Sequence, residues 1–445
     1  MLYNVLSLTN SYESPVPIWI GSKLIFGVYE AKDLETIMNS PHALKKDDLY
    51  KFAEPLVGTG LFTAPVAKWK RHRKIIMPTF NQKNLDNFVP VFAEQSNVLV
   101  EQLRKEIGKE EFDIFRYVSR CSLDIICETA MSTKVMAQTT DSEVMKWITR
   151  AMEIGFMRMF NIFYHSDFIF NSTSYSKELY DVIGKIHRFT ESVVKERRQA
   201  YENSRAPLAE SISFMYGGGR GQTFLEELIE LAERGDRFTD EELREEVNTV
   251  MVAGSDTTAS MDSFVFLMLG MHPDIQEKVY QEVVSVLGTD RAVLPTDLTK
   301  FKYLDRVIRE TLRIFPLGFI AVRAVTQDIN LEKCTIPAGS SVAMAIIALH
   351  RDPSVYPDPL KFEPDRFLPE EVAKRHPYSW LPFSGGPRSC LGPKYAFMAM
   401  KTVIATVVRK YKFVSKFRRI EDIRLKVDLM IKPVDGHKVS ITLRQ

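Results

Sequence analysis

Apolar positions in this chain follow two periods, and the helical one dominates the middle of the sequence. Near the start, Pro17 to Ile20 and Leu24 to Val28 are rich in β-branched and aromatic residues and flank Gly21-Ser22, which predicts a hairpin. From about Leu85 to Ile107, Phe88, Phe92, Leu99 and Leu103 form a helical stripe, and Phe115 to Ala130 reads as a second, mostly buried helix. Arg205 to Gln222, with Pro207 and the glycines 217–219, is expected to be a surface loop between helices and not a domain boundary.

Thr239 and Glu242 form a capping-box pattern, and helical text then continues to His272-Pro273. An unbroken helix of that length extends roughly 48 Å at 1.5 Å per residue. It can cross a whole domain, so residues 1–445 are expected to form one large unit around it. A further helix runs from Tyr303 to Ile314 ahead of Pro316. Asp435-Gly436 is a two-residue hairpin signal between Leu429-Met430-Ile431 and Val439-Ser440-Ile441. The expected class is mainly α with small β-sheets near both ends.

Composition changes this picture little. Lys and Arg total 59 against 57 Asp and Glu, so net charge gives no reason to expect a nucleic-acid partner. Cys121, Cys127, Cys334 and Cys390 are too few and too scattered for a disulfide framework, which fits a reducing compartment. The first residues show neither a basic-then-apolar leader nor a run of the ~18 apolar residues that a spanning helix needs.

Candidate chemistry concentrates around one cysteine. In Phe383-Ser384-Gly385-Gly386-Pro387-Arg388-Ser389-Cys390-Leu391-Gly392, glycines free the backbone to wrap a sulfur and aim amides at it. Glu310 and Arg313 share a helix face at i,i+3, with Phe362-Glu363-Pro364-Asp365-Arg366-Phe367 downstream. Trp69 and Arg73 stand at i,i+4 in a basic stretch where Lys68, Lys70, Arg71, Arg73 and Lys74 put five positive charges in seven residues. Inside the long helix lies Ala253-Gly254-Ser255-Asp256-Thr257-Thr258. By itself this last group reads as Ser, Asp and Thr bending a helix through backbone hydrogen bonds.

Taken together and in this order, these motifs resemble those of the cytochrome P-450 superfamily, most closely its family-four clan of insects. Further text along nearly the whole chain supports that likeness, including residues 59–63, 123–131 and 245–247. The resemblance implies the cytochrome P-450 fold, with haem b between the long helix and the cysteine loop and Cys390 as axial iron ligand. It assigns Trp69, Arg73, Arg323 and Arg388 to the haem propionates, with Phe383 packed beside the sulfur. Gly392 would let the following helix approach the porphyrin, while Glu310, Arg313 and Arg366 would form a structural ion network.

Ala253 and Gly254 would leave room over the iron, Thr257 would hydrogen-bond dioxygen, and Asp256 would relay protons inward, as O–O cleavage requires. Val250, Ala253, Leu317, Phe319, Ile320 and Val322 would wall an apolar substrate site. Many family-four enzymes esterify their haem through a Glu where this chain has Ala253, so the haem is expected to be non-covalent.

The reaction expected is mono-oxygenation of a fatty acid, hydrocarbon, terpenoid or xenobiotic by O2, with electrons from NADPH through NADPH-cytochrome P-450 reductase, docked on the basic helix. Peripheral attachment to the cytoplasmic face of the endoplasmic reticulum membrane is likewise implied, although the anchor and proline-rich hinge of microsomal relatives are absent from this text. Two other readings compete: a peroxide isomerase or dehydratase that needs no reductase, and an idle haem protein that sequesters lipophilic ligands. Asp256-Thr257 counts against the first.

Overall fold

The computed structural model describes residues 2–204, 222–236, 238–428 and 430–444. At its centre runs the helix Asp240–Met271, 32 residues long. Its start is the capping box expected from sequence: the Thr239 hydroxyl accepts from the Glu242 N–H at 3.1 Å, and the Glu242 carboxylate accepts from the Thr239 N–H at 3.2 Å. From Ala259 to Gly270 every residue is buried, because the helices Phe115–Met131, Ser174–Ser204 and Pro393–Val408 all pack on it. A helix enclosed on all sides has no use for a polar face, which explains its apolar text. Pro273 does more than stop the helix, since it is the first residue of the next one, Pro273–Leu287, where its missing N–H is harmless.

Other sequence expectations stand with small shifts. The striped helix is Gln82–Leu103, starting earlier than its apolar stripe because the Asn81 side chain caps it, and Pro90 lies within it. Phe115–Met131 and Lys302–Ile314 match their predicted spans within a residue. The N-terminal hairpin pairs Val16–Ile20 with Lys23–Val28 in the register Ile18 to Ile25. Ser341–Met344 adds to it in parallel and Ala321–Ala324 closes the sheet antiparallel, which fixes Arg323 opposite Val342. Of the glycine-rich loop expected between Arg205 and Gln222, residues 205–221 lie outside the described residues.

At the C-terminus the predicted hairpin is corrected. The turn exists, with Gly436 at φ +81° and its N–H donating to the Pro433 carbonyl at 3.2 Å. Yet the strand before it, Met430–Pro433, folds back on Leu425–Asp428, while Lys438–Leu443 pairs with Tyr411–Val414 and with Phe112–Asp113. Asp113 is the physical cause: its carboxylate accepts the His437 N–H at 3.0 Å and captures the chain just past the turn for a different sheet.

Candidate haem-thiolate site

The cysteine loop is built around Gly386. It has φ +64°, and a Cβ there would lie 2.2 Å from the Met38 carbonyl oxygen, so no other residue fits. The turn then closes on itself, with the Ser389 N–H donating to Gly386 O at 3.1 Å and the Cys390 N–H to Phe383 O at 2.9 Å. Gly392 donates its N–H to Cys390 Sγ at 3.4 Å. Burial pushes the Cys390 thiol up, while the Gly392 N–H, the Arg73 charge and the Leu391 N–H favour the thiolate. Cys390 is nonetheless accessible. A Cβ at Gly392 would meet its neighbours at an ordinary 3.9 Å, so what the residue visibly supplies is the amide to sulfur.

Beside this loop the fold gathers cations. Arg388 donates to Leu44 O at 3.1 Å and Ala64 O at 2.9 Å, and lies 4.2 Å over the ring of buried Trp69. Its third nitrogen, Nη1, is buried without a partner. Arg73 donates to Ser389 O at 2.8 Å and Cys390 O at 3.4 Å, tying the helix Val66–Ile76 to the loop. Arg323 is buried, and its backbone bridges to Lys46. Burial together with Arg323 and Arg73 pushes Arg388 down to about 10, and burial with Arg323 and Arg388 pushes Lys46 well down.

The fold therefore crowds like charges that have no carboxylate partner among the described residues, a costly arrangement unless an anion completes it. A group carrying two carboxylates beside a thiolate-seeking metal fits that donor set, and haem is such a group. Lys46, over the rings of Tyr50 and Phe62 at 4.1 and 4.4 Å, was not legible in the sequence, because it joins the cluster only through the tertiary bridge to Arg323.

On the long helix, Ala253 is exposed to a cleft, and Thr257, one turn later, donates its hydroxyl to Ala253 O at 2.6 Å. Gly254 is also where a neighbouring helix comes close. A Cβ there would meet Ile126 Cδ1 at 2.7 Å, so the glycine admits the neighbouring helix Phe115–Met131. Asp256 Oδ1 pairs with Lys432 Nζ at 2.8 Å, a partner the sequence did not suggest. Among the expected wall residues, Val250, Ile320 and Val322 are half-buried, but Leu317 and Phe319 are taken up by the main core.

The basic helix also needs correction. Lys68 bonds Glu245 at 2.7 Å, Arg71 bonds Glu242, and buried His72 bridges Glu246 at 2.6 Å and Glu242 at 3.2 Å. With Arg73 turned to the cysteine loop, only Lys70 and Lys74 of the five cations are exposed and free of these ties. The acidic first turns of the long helix, out of view at i,i+4 distance in sequence, consume the rest.

A long helix with an accessible Ala253–Thr257 face, an amide-wrapped cysteine and a cation cluster awaiting carboxylates together define a haem-thiolate protein. Comparison with known proteins agrees. The family model described as "Cytochrome P450" matches residues 1–439. The chain is 39% identical to "Cytochrome P450 4c3" of Drosophila melanogaster over 96% of its own length and 81% of that protein's. It is 37% identical to "Cytochrome P450 4V2" of Mus musculus, covering 96% and 82%. A solved structure, "Crystal structure of cytochrome P450DA heme domain", superposes with a TM-score of 0.85 at 22% identity over 100% of this chain and 93% of that one, which speaks for the fold. The chain belongs to the cytochrome P450 family, with family-four members among its relatives, and is a haem-dependent mono-oxygenase.

Proposed function

We propose that this mono-oxygenase acts on lipophilic small molecules, among them fatty acids, hydrocarbons, terpenoids and xenobiotics, with NADPH-derived electrons delivered by a flavoprotein reductase. What supports the substrate class is that Val250, Ala253, Ile320 and Val322, all apolar, each keep part of their surface accessible. When bound, haem iron held by a thiolate supplies O2 activation and O–O cleavage. Cys390 is the ligand, and Arg73, Arg323, Arg388 and Lys46 hold the propionates. Thr257 and Asp256 carry protons to the reacting oxygen. With alanine at 253 the haem is retained without an ester bond, so acidified organic solvent extracts all of it.

Exposed Lys70 and Lys74 form the steering surface for an acidic reductase. Attachment to the cytoplasmic face of the endoplasmic reticulum membrane is supported by Ile162, Phe163 and Phe168, exposed at 61%, 71% and 88% in one short segment. Among the described residues no helix is long and apolar enough to cross a membrane.

The test is the carbon monoxide difference spectrum of the reduced protein, followed by turnover of dodecanoic acid and a terpenoid with NADPH and reductase. A strongly red-shifted Soret band, lost in Cys390→Ser, and oxygenated product dependent on both NADPH and reductase are expected. Product from peroxides without reductase, or ligand-induced spectral shifts without turnover, would replace this reading with an isomerase or a sequestering protein.

A further inference from the structure

The stretch 123–131 resembles family text yet holds none of the residues placed in the site above. Its helix, Phe115–Met131, touches both sides of that site through one face. Ser122, Ile126 and Thr129 stand at i, i+4 and i+7, so their side chains line up on that face, and all three are buried.

Toward the long helix, the Ser122 hydroxyl donates to the Ser255 carbonyl at 2.8 Å. Ile126 fills the notch at Gly254, where a Cβ would lie 2.7 Å from Ile126 Cδ1. Both contacts fall between Ala253 and Thr257. A hydroxyl bonded to a helix carbonyl competes with the backbone bond there and sets the local bend.

Toward the cysteine, Thr129 Oγ1 lies 2.8 Å from the Tyr395 hydroxyl. Thr129 gives its one hydroxyl proton to Ile125 O at 2.8 Å, so Tyr395 is the donor and Thr129 the acceptor. Tyr395 stands in the first turn of the helix Pro393–Val408, three residues after Gly392, whose N–H reaches Cys390 Sγ. Its ring is packed edge-on against Phe92 at 5.2 Å.

We infer that the helix Phe115–Met131 is a spacer that holds the cysteine loop and the Ala253–Thr257 groove at one separation, with Thr129 and Tyr395 as the positioning pair on the cysteine side. The inference rests on the reading of Cys390 as axial ligand. Amides at a helix start stabilise a thiolate at hydrogen-bond distance. A small displacement of the first turn lengthens the 3.4 Å bond from Gly392 to Sγ and weakens it. Partners standing behind a metal ligand commonly change its behaviour by tenfold or more.

The test uses the holoprotein. Tyr395→Phe keeps the ring and deletes the hydroxyl, and Thr129 still donates to Ile125 O, so no buried donor is stranded. Thr129→Val removes the acceptor and Thr129→Ser keeps it. Tyr411→Phe is the comparison, because it also loses a buried tyrosine bond, to Val100 O at 2.8 Å, but past the other end of the same helix. In urea below the unfolding range, the strongly red-shifted Soret band of the reduced carbon monoxide complex should be lost roughly tenfold faster in Tyr395→Phe and in Thr129→Val. The double variant should be no faster than either, and Thr129→Ser and Tyr411→Phe should stay near the parent. Ser122→Ala reads the groove side: the infrared stretch of the bound carbon monoxide should shift while the Soret band is lost at the parental rate.

Equal rates in Tyr395→Phe and Tyr411→Phe, or additive effects of Tyr395→Phe and Thr129→Val, overturn the positioning pair. An unchanged stretch in Ser122→Ala overturns the spacer. A parent protein that never shows the red-shifted band overturns the Cys390 reading itself.

Discussion

Arg313 grips Glu310 with two nitrogens, Nε to Oε2 at 2.7 Å and Nη2 to Oε1 at 2.8 Å, and neither side chain has any exposed surface. Each then reaches outside its own helix. Arg313 Nη1 donates to His350 O at 2.9 Å and Pro359 O at 2.8 Å, and Glu310 accepts the Glu363 N–H at 3.0 Å with Arg366 Nε 3.5 Å away. The pair pins irregular chain from residue 350 to 366 onto the helix Lys302–Ile314.

Glu310→Gln removes one charge and leaves a buried guanidinium unpaired, which should cost about 3 to 5 kcal/mol in urea unfolding. Lys374→Ala breaks a pair with Glu371 that is exposed at 67% and 44%, and should change stability by less than about 1 kcal/mol. Equal effects of the two substitutions would mean that the Glu310 network carries no special share of the fold.

Haem retention should divide Lys46 from a merely structural lysine. Lys46 is half-buried, and desolvation with the neighbouring Arg323 and Arg388 charges pushes its pKa well down. Lys46→Met keeps the volume and deletes the charge. In apoprotein this removes a repulsion, so stability should hold or rise. In holoprotein a charge-assisted bond worth about 1.5 to 3 kcal/mol is lost, and transfer of haem to an acceptor globin should quicken by about tenfold or more. Unchanged transfer with lower apoprotein stability would remove Lys46 from the haem contacts.

These cases also show what the sequence could convey. Spacing within one element was readable: the Thr239 capping box, the Glu310–Arg313 face and the turn that needs Gly386 are all local patterns, and each is found as expected. Partners brought by other elements were not. Nothing in the basic helix discloses that Glu242, Glu245 and Glu246 bind Lys68, Arg71 and His72 from about 170 residues away, or that Asp113 diverts the strand after Gly436. Lys432, the partner of Asp256, comes from the same C-terminal strands whose pairing the hairpin signal mispredicted. That Leu317 and Phe319 are buried in the main core while Ile320 and Val322 keep some surface was not legible either, because apolarity alone does not say how deep a residue lies.

His437 supplies a pH prediction whose sign follows from its surroundings. Its ring is buried, stacked 5.7 Å from Phe115 and edge-on at 4.6 Å to Phe264, and burial with the nearby Lys432 charge pushes its pKa down to about 3 from the usual 6.5. The folded ring therefore stays neutral while the unfolded chain takes up a proton below about pH 6.5. Stability from the neutral ring is complete above that pH and is lost as pH falls toward 3, by up to about 1.4 kcal/mol per pH unit. Buried His350 is pushed down to about 3 as well, by burial and then Arg313, so it adds a second contribution of the same sign. His437→Phe, which keeps the aromatic stacking, should reduce the slope of urea-unfolding free energy between about pH 5 and 6.5 without abolishing it. The parental slope in that variant would mean that the His437 ring is already charged in the folded protein, or that it titrates alike folded and unfolded.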